Sequence, residues 1–294
     1  MTRIRLATEA DLPSAYEVFY QNELRDDPQL LFPDIIPAYM RYVLQTGTLS
    51  VAEEDGEIIA FAAAITRGNI SFLTDLFVLP TSQSGKLGKA LLQSVLPQDG
   101  LVHCTLSSSD PRALALYIRS GMRPSWPQYA LQLSEPALSA WQLEPDMEII
   151  EADASDLALL RWDTRISGRP RPQDLEFWIR DEQGIPLWFR RKGKIVGYGY
   201  VRFGAGDYIH PHKCKIGPIG ADTPEDATAC VLAAINWAVQ QSTEIHIDVP
   251  GPHPCLATLL ERGFQIKSFD TFVSSASHPF FDAQHYIASG GDLL

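Results

Sequence analysis

The stretch Leu73-Thr74-Asp75-Leu76-Phe77-Val78-Leu79-Pro80-Thr81-Ser82-Gln83-Ser84-Gly85-Lys86-Leu87-Gly88-Lys89-Ala90-Leu91-Leu92 decides how the chain is read. An apolar run of β type enters a turn of small and polar residues, and the turn enters apolar residues at helical spacing. A helix begun this way has unpaired backbone N–H groups and partial positive charge at its N-terminus. A diphosphate fits such a terminus, because the donors converge and small residues let the backbone come close. Lys86 and Lys89 add positive charge beside it.

A second stretch, Asp110-Pro111-Arg112-Ala113-Leu114-Ala115-Leu116-Tyr117-Ile118-Arg119-Ser120-Gly121-Met122, reads as a short helix closed by a glycine. Together the two stretches resemble the signatures of the GNAT superfamily of N-acyltransferases. The first follows the acyl-CoA loop pattern V-x-P-x-x-[Q/R]-x-x-G-x-[G/A] at Val78, Pro80, Gln83 and Gly88, with Lys86 where the family usually has its first Gly. The second follows N-x-x-A-x-x-x-Y-x-x-x-G-F, with Tyr117 four residues before Gly121 and Asp110 in place of the usual Asn. The resemblance implies an α/β fold with a mixed sheet, acetyl-CoA as cosubstrate, no metal, and transfer to an amine.

Size and composition agree with that class. At 294 residues the chain is expected to hold two domains of ordinary size. Its 45% hydrophobic and 20% charged residues are those of a globular protein. A net charge of −12 with no basic stripe argues against nucleic acid. Glu9 and Asp11 interrupt the N-terminus, which does not read as a signal peptide. The longest apolar run, Ile58 to Ile65, is far short of the about 20 residues that span a bilayer. Cys104, Cys214, Cys230 and Cys255 have no metal or disulfide spacing and read as reduced core thiols of a cytoplasmic protein.

The chain also repeats itself. Ile4-Arg5-Leu6-Ala7-Thr8-Glu9-Ala10-Asp11-Leu12 is echoed by Ile149-Ile150-Glu151-Ala152-Asp153-Ala154-Ser155-Asp156-Leu157. Gly56-Glu57-Ile58-Ile59-Ala60-Phe61 is echoed by Gly193-Lys194-Ile195-Val196-Gly197-Tyr198, and Ala115 to Met122 by Ala257 to Phe264. Two tandem GNAT folds follow, an acyl-CoA-binding domain over 1–138 and a degenerate one over 139–294, with the boundary in the polar stretch Ser134 to Pro145. The first half is expected to form strands at 2–6, 48–54, 57–66, 70–79 and 100–106, helices near 9–24, 34–45, 86–95 and 110–120, and a closing pair of strands near 122–132.

The halves are not equal. Where the second needs a phosphate loop it reads Ile216-Gly217-Pro218-Ile219-Gly220-Ala221-Asp222-Thr223-Pro224-Glu225-Asp226-Ala227. Thr223 suits a helix cap and Pro224 the first helical position. Glu225 and Asp226 in the first turn favour the helix dipole and oppose a polyphosphate. Leu259 stands where Tyr is needed. The second half is expected to have lost acyl-CoA chemistry and to buttress the first or cover its acceptor cleft.

Amide formation from a thioester poses three problems. The aliphatic ammonium, with a pKa of about 10, must lose a proton before attack. The carbonyl oxygen gains negative charge, and the thiolate must leave. By family position Tyr117 is the proton donor to the sulfur; a core aromatic on an amphipathic helix is the alternative. The N–H of Phe77 or Val78 is the candidate donor to the oxygen, since the resemblance implies a fourth strand that splays from the fifth at a bulge and frees amides there. Asp75 is the candidate base, directly or through a water, or else a strand-end residue. Gln83, Ser84, Gly85, Lys86, Leu87, Gly88 and Lys89 would wrap the diphosphate, mainly through backbone donors, with Asp110 beside them. Lys86 lacks glycine's freedom at positive φ, so its backbone must sit in an ordinary region or accept strain, and its ammonium can pair with a phosphate.

The acceptor region offers Phe19, Tyr20, Glu23, Asp26, Asp27, Phe32, Asp34 and Tyr39, then Trp126 and Tyr129. Acidic and aromatic groups together suit a cationic amine, and a solvated acidic loop accounts for the same residues equally well. Trp162, Trp178 and Trp188 read as core packing. His210-Pro211-His212 lacks a third ligand nearby and reads as a turn, and Arg169-Pro170-Arg171-Pro172 as a stiff basic loop, an exposed linker or else one that reaches an anionic group. The expected function is N-acetyl transfer to a small-molecule amine, by a monomer or homodimer that engages neither nucleic acid nor membrane. A catalytically silent acyl-CoA-binding or sensing protein is the competing class, and acetylation of a peptide N-terminus a third possibility.

Overall fold

The computed structural model describes residues 2–26, 36–83, 86–97, 100–134, 147–204, 214–242, 244–291 and 293–294. The first half forms β1 (Arg3–Leu6), α1 (Leu12–Asp26), α2 (Ala38–Thr46), β2 (Thr48–Glu54), β3 (Glu57–Arg67) and β4 (Ile70–Val78). It continues with α3 (Leu87–Val95), β5 (Val102–Ser107), α4 (Pro111–Arg119) and β6 (Arg123–Ser134). The second half forms β7 (Met147–Glu151), α5 (Leu157–Ser167), α6 (Pro172–Arg180), β8 (Gly184–Arg191), β9 (Lys194–Arg202) and β10 (Cys214–Ala221). It ends with α7 (Pro224–Ala238), β11 (Glu244–Pro250), α8 (Cys255–Glu261), β12 (Gln265–Ser274) and β13 (Tyr286–Ile287).

The internal repeat reaches the backbone angles. The β2–β3 hairpin turns through Asp55 and Gly56 at φ 52° and 91°, and the β8–β9 hairpin through Lys192 and Gly193 at 49° and 79°. Both are two-residue turns with positive φ throughout, the kind that matches the twist of paired strands. Gly121 and Gly263, just past α4 and α8, share a φ of 96°.

Among the described residues all strands belong to one mixed sheet, in the order β1-β2-β3-β4-β5-β12-β6-β11-β10-β9-β8-β7, with β13 on β10. The centre of this order corrects the sequence reading. No closing pair of strands forms near 122–132; β6 is one strand of 12 residues. It contains no Gly, Asn or Asp to make a tight hairpin, so it runs straight on. The place beside β5 is taken by β12, with Thr271 opposite Ser107 and Ser274 opposite Cys104. In return β6 pairs with β11, from Glu244↔Ser134 to Pro250↔Gln128. The halves have exchanged β6 and β12. The boundary expected between 138 and 139 lies outside the described residues.

A single apolar cluster crosses the halves on one face of the sheet, joining Tyr42 and Phe61 to Trp178 and Tyr198. Within it Tyr42 stacks on Phe177 at 4.2 Å between ring centroids. Arg67 of β3 and Asp174 of α6 form an ion pair at 2.7 Å with side chains 2% and 0% exposed, and the Tyr42 hydroxyl donates to the same carboxylate. On the other face α3 and α4 cover the first half around Leu91, Leu92, Tyr117 and Val273. There α7 and α8 cover the second half around Cys230, Val231 and Leu259. All four cysteines are buried and free, as expected of core thiols. Trp178 and Trp188 are buried too.

Candidate active site

A notch opens in the first half where β4 and β5 part. Their parallel pairing runs from Ile70↔Val102 to Leu73↔Thr105 and stops. At that level the β3 register shifts between Ala63 and Ala64, which leaves Thr74 as an extra residue on β4. Such a bulge bends its strand away from the neighbour. The Thr105 hydroxyl donates to the Leu73 carbonyl at 2.8 Å and closes the apex. Beyond the apex the Leu79 N–H donates to the Ile59 carbonyl at 2.9 Å, so Leu79 faces β3. Backbone direction alternates along a strand, so Phe77 faces β3 as well, whereas Leu76 and Val78 face the notch. Of the two amides named from sequence, the one directed at the opening is that of Val78. Its carbonyl accepts from Asn22 Nδ2 at 3.1 Å and Gln83 Nε2 at 3.3 Å.

The loop leads into α3 as the pattern required. Lys86 sits in ordinary right-handed backbone, φ −112° and ψ −29°, so its departure from glycine costs no strain. Gly88 lies in the first turn, where an added Cβ meets nothing nearer than Leu116 Cδ2 at 3.6 Å. Leu87 is half-buried, and Lys86 and Lys89 are exposed. Ser84 and Gly85 lie outside the described residues. Asp110 caps α4, accepting from the Arg112 N–H at 2.8 Å. Arg112 was not singled out from sequence. It pairs with Asp110 at 2.7 Å and donates to Gln83 Oε1 at 2.9 Å, which ties the start of α4 to the loop. A basic residue just after the helix-opening Pro111 was the available signal.

Tyr117 is 5% exposed. Among the described residues its hydroxyl has no hydrogen-bond partner. Burial foremost, and then the charges of Asp75, Asp270 and Asp110, hold its pKa above the usual tyrosine value, so it keeps its proton. Asp75 is also 5% exposed and accepts from the Tyr39 hydroxyl at 2.9 Å and the Thr74 hydroxyl at 2.7 Å. The Phe77 ring belongs to the core, edge-on to Phe19 at 5.1 Å and stacked with Phe61 at 5.6 Å.

The acceptor candidates divide. Phe19, Tyr20 and Tyr39 are buried on the face that carries α1 and α2. Trp126 stacks on Phe272 at 4.8 Å, and Tyr129 meets Phe269 at 6.0 Å. Asp27, Phe32 and Asp34, and the side chains of Glu23 and Asp26, lie outside the described residues. Asp270 escaped sequence reasoning altogether. It comes from the second half on β12, one residue before the Thr271 that pairs with the end of β5. Burial first, and the nearby charge of Asp248, push its carboxyl up to about 6.

The corresponding notch of the second half is filled by the chain itself. Pairing of β10 with β11 stops at Ile216↔Ile247. Past that point β13 takes the free edge, with Ile219 opposite Ile287 and Gly220 opposite Tyr286, and the Ala221 N–H donates to the His285 carbonyl at 2.9 Å. The loop Arg169 to Pro172 is not an exposed linker. Arg169 and Arg171 are 2% and 0% exposed and both donate to the Leu294 carbonyl oxygen, and Arg171 also pairs with Asp163 at 2.7 Å. The anion that this basic loop reaches, Asp163, is internal. Thr223 caps α7 with Glu225 and Asp226 in its first turn, and Leu259 is fully buried. Among the described residues no group of three or more His, Cys, Asp or Glu can hold a metal ion, and no helix is long and apolar enough to cross a membrane. His210, Pro211 and His212 lie outside them.

Family models for the GNAT acetyltransferase domain match residues 45–123 and 159–274. The chain is a tandem member of the GNAT superfamily, an acyltransferase fold present twice. A putative acetyltransferase from Pyrococcus horikoshii superposes with a TM-score of 0.74 at 16% identity, covering 99% of this chain and 95% of that one. A GCN5-related N-acetyltransferase from Sphaerobacter thermophilus gives 0.63 at 16% identity, over 93% and 95%. A tandem GNAT protein from the clavulanic acid biosynthesis pathway gives 0.64 at 12% identity, over 95% and 99%. No curated protein matches the chain.

Proposed function

We propose that the first half transfers acetyl from acetyl-CoA to a primary amine of a small molecule by direct attack in a ternary complex. The observation that carries the proposal is the open β4–β5 notch, which has the Val78 amide on its wall and a buried, protonated Tyr117 near it. The diphosphate lies at the start of α3, between backbone donors and the charges of Lys86, Lys89 and Arg112. The pantetheine arm follows the free edge of β4, and the Val78 N–H meets the thioester oxygen as it gains charge. The ammonium of the acceptor loses one proton toward Asp75, directly or through a water. Its nitrogen then bonds to the carbonyl carbon, the carbon–sulfur bond breaks, the departing thiolate takes the Tyr117 proton, and the second proton lost by the nitrogen restores the phenol. The products are an amide, free CoA and the one proton taken by Asp75, which returns to solvent.

The second half serves as scaffold. Its own segment 285–287 occupies the edge that a pantetheine would need, and the carboxylates at the start of α7 oppose a diphosphate. Thiol release from acetyl-CoA with a panel of amines, for wild type and Tyr117→Phe, tests the reading. Turnover that falls in the variant supports it. Binding of acetyl-CoA without Tyr117-dependent turnover supports a silent sensor instead.

A further inference from the structure

Strand exchange makes the acceptor side of the first notch a product of both halves. Along β4, Asp75 pairs with Ala63 and Phe77 with Phe61, and these partners lie in the core cluster on the α1–α2 face. Asp75 therefore stands on that face, and its hydrogen bond from Tyr39 of α2 agrees. Along β12, Phe272 lies in the same cluster, opposite Leu106 of β5 and Trp126 of β6. Side chains alternate, so Asp270 stands on the same face as Phe272, opposite Gln128. Its partner in register beyond Ser107 is where β5 has already ended. The two aspartates thus flank the open end of β5 from opposite sides, one from each half. Tyr117, buried and without a hydrogen-bond partner among the described residues, feels the charge of both.

Spacing then selects the ligand. β4 and β12 are the two neighbours of β5, so their backbones are at least about 10 Å apart at two strand spacings. Both carboxylates rise from one face. One small ammonium cannot reach both, whereas two cationic groups on a short aliphatic chain can. We propose that the acceptor is a diamine or longer polyamine whose reacting nitrogen faces Asp75 and whose second ammonium is bound by Asp270, supplied by the second half. The inference rests on the acyltransferase reading given above.

Asp270 is here a binding group, so its removal raises KM for a dicationic acceptor and leaves a monocationic one alone. The test measures thiol release by the full chain with acetyl-CoA, using 1,4-diaminobutane and butylamine, which share a carbon count and differ by one charge. Wild type is expected to favour the diamine by tenfold or more in kcat/KM, on the order of one ion pair in a partly shielded site. Asp270→Asn is expected to remove most of that preference by raising KM for the diamine and not for butylamine, with any effect of the lost charge on Tyr117 falling equally on kcat for both amines, and Asp270→Glu to restore part of it. Equal use of both amines by wild type overturns the inference, as does an equal change in KM for both in Asp270→Asn, and either result leaves the acyltransferase reading standing. Absence of thiol release with every amine, despite measurable acetyl-CoA binding, sinks that reading and the inference with it.

Discussion

Replacing Asp270 with Asn should stabilise the protein at pH 8 and leave it nearly unchanged at pH 4. The carboxyl is held at about 6, above its ordinary 3.8, first by burial and then by the charge of Asp248. An acid whose folded pKa is raised binds its proton more tightly in the folded chain than in the unfolded one. Below 3.8 both states are protonated and the residue costs nothing. As pH rises through about 6 the folded chain must ionise a shielded group, and stability is lost. At about 1.4 kcal/mol per pH unit, the 2.2 units between 6 and 3.8 correspond to about 3 kcal/mol. The side chain is only partly buried, so solvent relaxes some of this and the expected gain is about 1 to 3 kcal/mol. Urea unfolding of wild type and variant at both pH values isolates the group, because carboxylates such as Asp11, held below its usual value by Arg5, act alike in both proteins. Equal stability at pH 8, or a difference of the same size at both pH values, refutes the reasoning. Stability gained by removing a group in a cleft is the pattern expected where a residue is kept for binding.

Three further outcomes are expected. Tyr117→Phe should lower kcat by on the order of 100-fold while changing acetyl-CoA affinity little in calorimetry, because it removes a proton donor and retains the buried ring. Asp174→Ala should cost about 3 to 5 kcal/mol in denaturant unfolding, since it strands Arg67 as an unpaired charge in the core joining the halves. Gly217→Val should loosen the terminal segment, because a Cβ there would lie 2.5 Å from the Ala288 carbonyl oxygen and the backbone is at φ +136°. Faster limited proteolysis between 275 and 290 would report that release.

The parts of this molecule written in local pattern were legible in the sequence. The Leu73–Leu92 stretch gave strand, turn and helix nearly to the residue, because apolar period and glycine placement act over short range. The repeat was legible for the same reason, down to the shared hairpin geometry at Gly56 and Gly193. What escaped were choices made between distant segments. Nothing in Arg123–Ser134 says that its neighbours will be β11 and β12, since the unpaired edge of any strand accepts a partner of matching face. Asp270 stayed hidden because its importance depends on that exchange. The arginines at 169 and 171 looked like solvent-facing charges, because the Leu294 oxygen and Asp163 that bury them lie elsewhere in the chain.

The central claim is that one notch of the pair receives acetyl-CoA, and it is the first. Calorimetric titration of wild type and Gly88→Asp with acetyl-CoA tests this most directly. The substitution sets a carboxylate in the first turn of α3, where it repels a diphosphate, and space beside Gly88 leaves the fold intact. One molecule bound per wild-type chain, and none by the folded variant, is the predicted result. Two molecules per chain, or undiminished affinity in Gly88→Asp, would contradict the account.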